Sequence, residues 1–265
     1  MLEVTSGGVR IRYDVVGEGR PLVLLHGWGV DRSSWADVGY VDSLRSDHRL
    51  VIIDLRGSGA SDKPHEADAY TADHLTADVL AVADAEGLDR FALWGHSWGG
   101  WISWMTAAAH PARVATLVTW GAWDPRPEDG PTEDGQKLIS ALRQEGMSAL
   151  VEPMRKELGE RFDREFPPAL QAVTLRADPQ ALAAAYSMMW VDGISDADLG
   201  SFPVSALLIA GELEDPDDDA AKIAATIPNG ERLRLPGLGH EGTCNASSLT
   251  VPIARAFLDR WFATT

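Results

Sequence analysis

The sequence has few of the features that mark secreted, membrane-spanning or disulfide-stabilised proteins. Its 265 residues include one cysteine, Cys244. No internal disulfide can therefore form, which fits a reducing compartment. No apolar stretch approaches the roughly 18 residues that a membrane-spanning helix needs. The chain opens at Met1 without a basic region followed by an apolar run, so we expect no signal peptide and a cytoplasmic location.

Basic residues are also scarce. The chain carries 23 lysine and arginine side chains against 40 acidic ones, which gives a net charge of -17. Such a charge favours a solvated surface and repels both nucleic acids and anionic membranes. We expect a small-molecule substrate as partner, with a homo-oligomer left open.

The motifs that hold phosphates and metal ions are missing as well. The sequence contains no glycine-rich phosphate loop, no regular spacing of metal ligands and no cluster of arginine or lysine. Nucleotide cofactors and structural or catalytic metals depend on such patterns. We therefore expect neither a cofactor nor a metal.

What the chain does contain is a series of short, continuous apolar runs separated by helical segments. Strands of this kind are buried on both faces and are typical of parallel sheets covered by helices. The alternation predicts an α/β fold with a mostly parallel central sheet flanked by helices. The predicted strands include 9–16, 21–26, 49–54, 91–94, 114–120 and 204–210, and the predicted helices 72–85, 98–109 and 249–262.

One region breaks the alternation. Residues 124–201 contain no convincing strand and are punctuated by seven prolines. We interpret them as a helical cap or lid inserted into a core formed by 1–123 and 202–265. An insertion there would lie over the carboxyl ends of the strands, where open α/β sheets bind ligands.

The motif that carries chemistry is Gly95-His96-Ser97-Trp98-Gly99, between a predicted strand and a predicted helix. In this context a G-x-S-x-G motif forms a sharp, strained turn that exposes the serine at a helix N-terminus. A chain with 25 glycines can also produce the motif by chance. Its companions therefore decide whether Ser97 is a nucleophile.

Two companions carry a family resemblance. The stretches are His26-Gly27-Trp28-Gly29 and the loop from Asp54 to Asp62, each after a predicted strand. With the serine motif they resemble the α/β-hydrolase superfamily over nearly the whole chain. The resemblance implies that the backbone N–H groups of Trp28 and Trp98 form an oxyanion hole. We interpret His26 itself as a structural residue whose buried ring organises its loop. The serine separates the chain from the epoxide-hydrolase and dehalogenase branches, which use aspartate.

The same resemblance assigns a base and leaves its acid partner open. His240 lies in a loop after the last predicted strand, where the family places its catalytic histidine. For the acid, the register after Gly211 favours Glu214, whereas residue type and the following proline favour Asp215. Asp124 is a minor third option.

Aromatic and methionine side chains predict the substrate pocket. The chain has ten tryptophans. We expect Trp28, Trp98 and Trp123 to face the pocket at strand ends. The insertion offers further side chains for the pocket wall: Met147, Met154, Met188, Met189 and Trp190. An apolar, aromatic pocket suits a hydrophobic acyl group.

These observations predict a serine hydrolase that cleaves a carboxylic ester or lactone of a hydrophobic small molecule through an acyl-enzyme. The same triad also serves carbon–carbon bond hydrolases, aminopeptidase-like enzymes and cofactor-free perhydrolases. A small-molecule receptor with little turnover is the alternative from another class. Fold and triad do not choose between these chemistries.

Overall fold

The apolar runs of the sequence form a twisted central sheet. The computed structural model describes residues 1–121, 124–127, 130–189 and 191–262. Within them the sheet has eight strands, in the order β1-β2-β4-β3-β5-β6-β7-β8. The strands are β1 (Leu2–Ser6), β2 (Val9–Val16), β3 (Arg20–Leu25), β4 (His48–Asp54), β5 (Phe91–His96), β6 (Val114–Trp120), β7 (Ser205–Gly211) and β8 (Gly230–Leu235).

The direction of the strands confirms the predicted sheet. β3 to β8 run parallel to one another, whereas β2 pairs antiparallel with both β1 and β4 near one edge of the sheet. β5, β6 and β7 are buried along their whole length. Successive side chains of a strand point to opposite faces. In β3, accordingly, Leu22 and Leu24 enter one core while Val23 and Leu25 enter the other.

Helices cover both faces of the sheet. α3 and α4 supply side chains to one core, and α2 and α13 supply them to the other. None of the helices in the described residues is long and apolar enough to cross a membrane. The helices are α1 (Ser34–Asp37), α2 (Tyr40–Leu44), α3 (Ala72–Ala85), α4 (Trp98–Ala109), α5 (Glu133–Glu145), α6 (Ser148–Leu158), α7 (Phe162–Glu165), α8 (Pro168–Leu175), α9 (Pro179–Met188), α10 (Asp196–Leu199), α11 (Asp219–Thr226), α12 (His240–Cys244) and α13 (Ser247–Phe262).

The chain between β6 and β7, called the insertion below, is helical. Its described residues form α5 to α10 and contain no strand, as the sequence predicts. Two small apolar clusters hold it together, one around Leu142 and Leu182 and one around Phe162 and Phe166. The Trp28 side chain joins the first cluster, and its indole N–H donates to the Leu182 carbonyl at 3.1 Å. The insertion therefore contacts the loop after β3. The boundaries of a separate cap at 124–201 stay a prediction.

Candidate active site

Ser97 stands at the junction of β5 and α4 in a strained backbone conformation. Its φ is 49° and its ψ is -117°, in a region that non-glycine residues rarely occupy. The Ser97 N–H donates to the Trp120 carbonyl at 2.8 Å, which ties the turn to β6. A side chain at Gly95 would collide with the backbone of α4, and one at Gly99 would collide with the end of β3. Both glycines of the motif are therefore required by close backbone approach.

The predicted oxyanion donors lie on either side of this turn. Trp98 is the first residue of α4, and its ring stacks on Trp101 with the centroids 4.7 Å apart. Trp28 follows β3, and its ring lies against Tyr186 with the centroids 5.3 Å apart. The N-terminus of α4 adds the positive end of a helix dipole beside Ser97.

His240 is held by Glu214. His240 Nδ1 donates a hydrogen bond to Glu214 Oε2 at 2.8 Å. The other carboxylate oxygen of Glu214 accepts the Gly211 N–H at 2.7 Å, in the turn that follows β7. Gly121, at φ 60°, leaves room for the imidazole, because a side chain there would collide with it. Burial lowers the pKa of His240, but the hydrogen bond and charge of Glu214 outweigh it and raise that pKa to about 9.

The two other candidate acids do not reach His240. The Asp215 carboxylate, 2% exposed, accepts the N–H groups of Asp219 at 2.7 Å and Ala220 at 3.0 Å. It therefore caps the start of α11, a role that Asp commonly fills. Asp124 forms an ion pair with Arg126 instead. The alternatives Asp215 and Asp124 are thus corrected in favour of Glu214 as the partner of His240.

The predicted structural role of His26 agrees with its contacts. Its Nδ1 donates to the Gly27 carbonyl at 2.8 Å, and its Nε2 accepts the Leu55 N–H at 3.1 Å. Burial lowers the pKa of this histidine. Both ring nitrogens are thus used to join the loops after β3 and β4, so the ring organises its surroundings.

Ser97 and His240 line one cavity of about 200 Å³. The His240 ring lies 5.4 Å from the ring of His96, the residue before Ser97. Within the described residues no hydrogen bond joins the Ser97 hydroxyl to His240, and such bonds are often long in unliganded hydrolases. The cavity wall is largely apolar, with Trp28, Leu150, Met154, Phe166, Leu170 and Met189.

These features agree with what the chain resembles among known proteins. A family model described as alpha/beta hydrolase fold matches residues 20–243. The chain belongs to this family. The sequence is 36% identical to epoxide hydrolase 4 of Mus musculus over 119 residues, which is 44% of this chain and 33% of that protein. It is 38% identical to the 2-hydroxy-6-oxo-2,4-heptadienoate hydrolase of Pseudomonas putida over 120 residues, which is 45% of this chain and 43% of that protein.

The chain thus matches less than half the length of these two curated relatives. Among solved structures, an esterase from Rhodococcus sp. ECU1013 superposes with a TM-score of 0.79 and 26% identity, covering 98% of each chain. The family's serine-motif context, strand then turn then helix, is present at Ser97. Curated relatives of this α/β-hydrolase fold are hydrolases by name.

The structure corrects part of the predicted pocket. Met154 and Met189 line the cavity, but Met188 packs against the core on one face of the sheet, and Met147 belongs to a small cluster of the insertion. α9 ends at Met188. The backbone of Met189 is extended (φ -64°, ψ 128°), and the Met189 side chain therefore turns into the cavity. Of the tryptophans expected at the pocket, Trp28 lines the cavity, whereas Trp98 is buried in the core on one face of the sheet and does not line it. Trp123 and Trp190 lie outside the described residues.

Other cavity residues were missed from the sequence. Leu150 is one of them, although it lies four residues before the predicted Met154 and so shares one face of α6 with it, a spacing that marks an apolar stripe. That signal was available. Glu241 also lines the cavity, directly after His240, and no pattern marks it. In the part of the chain that the structure describes, no three histidine, cysteine or acidic side chains converge to hold a metal ion.

Proposed function

We propose that this α/β-hydrolase is a serine hydrolase that cleaves a carboxylic ester or lactone with an apolar acyl group. The observation that carries the proposal is the hydrogen bond between Glu214 and His240 beside a cavity that Ser97 also lines. A nucleophile, a base and an acid that orients the base are the three parts of a serine triad. The largely apolar wall supports the choice of acyl group.

The proposed reaction has two halves. Ser97 Oγ attacks the carbonyl carbon while His240 Nε2 takes the hydroxyl proton, and Glu214 accepts the Nδ1–H and holds the ring in that tautomer. The N–H groups of Trp28 and Trp98 stabilise the oxyanion. His240 then gives the proton to the departing alkoxide, which leaves an acyl-enzyme. Water, deprotonated by His240, attacks that ester and releases the acid and free Ser97.

Similarity to an epoxide hydrolase does not transfer that activity to this chain. Attack of a serine hydroxyl on an epoxide carbon would form an ether. An ether has no carbonyl for water to attack, so turnover would stop after one event. The hydroxyl nucleophile of Ser97 therefore favours acyl transfer over epoxide opening.

The similarity to a dienoate hydrolase does not assign the substrate of that enzyme to this chain. That substrate carries a carboxylate, and a buried carboxylate is stabilised most strongly by a cationic partner. Among the described residues that line the cavity with Ser97, none is arginine or lysine. An uncharged acyl group of an ester or lactone fits this wall better.

The test combines a substrate series with active-site labelling. We expect the wild type to hydrolyse p-nitrophenyl esters of butyric to octanoic acid and aromatic lactones, and a fluorophosphonate to label Ser97. Ser97→Ala is the matched control and should lose both labelling and turnover. Labelling at another residue, or full activity in Ser97→Ala, refutes the proposal. A burst of one equivalent without further turnover would instead identify a small-molecule receptor.

A further inference from the structure

One carboxyl group in the wall of the cavity has no partner. Glu241 lines the cavity next to His240, and its carboxylate makes no hydrogen bond or ion pair with the described residues. The neighbouring acids are both satisfied. Glu214 bonds His240 and the Gly211 N–H, and Glu165 receives Arg161 at 3.0 Å. Glu241 is half-buried, and no hydrogen bond or ion pair with the described residues occupies its carboxylate, so this group is available to bind a ligand.

Glu241 stands where two cavities meet. A second cavity of about 330 Å³ shares Met154, His240 and Glu241 with the first. Ser97 lines only the first, which has the apolar wall suited to an acyl group. In acyl transfer the histidine protonates the leaving group, so that group departs next to His240. The second cavity is therefore the space in which the leaving group would lie, and Glu241 lines both cavities.

The charged side chains that line the second cavity favour the binding of a cation. Acidic side chains line the second cavity, namely Glu157, Glu165, Glu214 and Glu241, and Arg161 is its one described basic residue. Arg161 is bonded to Glu165, and His240, which also lines this cavity and carries a charge when protonated, is bonded to Glu214. Glu157 and Glu241 are therefore left without a basic partner among the described residues of the lining. Burial raises the pKa of Glu241; His240 lowers it, and the charges of Glu214 and Glu165 raise it further. A positively charged group would relieve this repulsion, whereas an anion would add to it.

We propose that Glu241 binds a positively charged nitrogen on the leaving-group side of the substrate, so that the protein prefers esters of amino alcohols. This inference rests on the proposed ester hydrolysis, because that reaction defines the leaving group. It deepens that proposal by naming the chemical class of the alcohol. Glu241 is then a specificity-determining residue that does not take part in the covalent steps.

Two isosteric esters of phenylacetic acid test the inference. The 2-(trimethylammonio)ethyl ester carries a charge, and the 3,3-dimethylbutyl ester replaces its nitrogen with carbon. We expect the wild type to show a kcat/KM at least about tenfold higher for the cationic ester, since the Coulomb attraction between its quaternary nitrogen and a carboxylate is stronger at a protein surface than in bulk water. Glu241→Gln should bring the ratio of the two kcat/KM values close to one. Glu241→Asp keeps the charge and should keep the preference.

Glu160→Gln is the matched control, because Glu160 is an exposed acid of the insertion that lines neither cavity. It removes the same charge and should leave the ratio within twofold of the wild type. A wild-type ratio near one, an unchanged ratio in Glu241→Gln, or an equal loss in Glu160→Gln overturns the inference.

A binding measurement separates this inference from the proposed hydrolysis. Calorimetry measures the dissociation constants of the two intact esters for two proteins. These are Ser97→Ala and the double variant that combines Ser97→Ala with Glu241→Gln. Tighter binding of the cationic ester that depends on Glu241 supports the inference even where the wild type hydrolyses neither ester. Absence of hydrolysis with no labelling of Ser97 refutes the proposed function. Equal binding of both esters refutes the role of Glu241.

Discussion

The imidazole of His240 and the carboxylate of Glu214 meet at 2.8 Å, although the two residues are 26 positions apart in the chain. The neighbouring Asp215 faces the other way and caps α11. Two adjacent acids thus have different tasks, one at the candidate active site and one in local structure. The first prediction separates them.

Glu214→Gln should lower activity and leave stability intact, whereas Asp215→Asn should lower stability and keep most of the activity. Loss of the Glu214 charge removes the group that orients His240, and we expect kcat/KM to fall by about 10³- to 10⁴-fold with the fold intact. Asp215→Asn weakens two hydrogen bonds at the start of α11 and should cost about 1 kcal/mol of unfolding free energy with most activity kept. Ester kinetics and urea unfolding measure both. Equal activity loss in the two variants would contradict the assignment.

The activity should rise with pH over an unusually alkaline range. The neutral form of His240 is the base, and Glu214 raises the pKa of His240 to about 9, so most of the base is protonated at neutral pH. We expect the ascending limb of kcat/KM to have its midpoint near that value. In Glu214→Gln the residual activity should show a midpoint moved down toward the ordinary value of 6.5. A pH–rate profile of both proteins is the measurement, and coincident midpoints would count against it.

The strain at Ser97 should be visible in stability. Ser97 has a φ of 49°, which glycine adopts without steric cost and alanine does not. Strained positions of this kind cost about 1–3 kcal/mol. We expect Ser97→Gly to unfold with a free energy about 1 kcal/mol higher than Ser97→Ala, and both to be inactive. Urea unfolding compares the two variants directly. Greater stability of Ser97→Ala would mean that the turn is relaxed in solution.

The acyl-chain length that the protein prefers in its substrates should depend on Leu150. This side chain lines the cavity and lies close to the glycine loop after β3. Leu150→Trp places a larger side chain in the cavity wall and reduces the space for the acyl group, so we expect kcat/KM for octanoyl esters to fall at least about tenfold more than for acetyl esters. Leu138→Trp is the control, since Leu138 is a partly buried residue of the insertion outside this cavity. An equal effect of both variants on the acyl-length profile would place the acyl group elsewhere.

Much of the fold could be predicted because it depends on local pattern. Continuous apolar runs such as 91–94 and 114–120 exclude a half-exposed strand, and the structure confirms them as β5 and β6 within a mostly parallel sheet. The strand–turn–helix context of Ser97 is local in the same sense. Its two glycines are required within a few residues of the serine.

The cavity wall was harder to predict. Methionines at 188 and 189 have nearly the same local signal. Met189 is buried in one core and also lines the cavity, whereas the partly buried Met188 packs against the same core and does not line the cavity. The choice depends on where α9 ends, because the break in the helix rotates the next side chain. Helix ends are set by packing and capping as much as by propensity.

The sequence by itself determined the sheet, the helical insertion and the serine turn, since each follows from periodicity or from glycine at a fixed spacing. Only the tertiary structure decided between Glu214 and Asp215 as the partner of His240. Adjacent side chains in a turn point in different directions, and the register of the turn after β7 is set by contacts with the distant loop that carries His240. The same long-range packing placed Glu241 in the walls of two cavities, which no stretch of sequence could indicate.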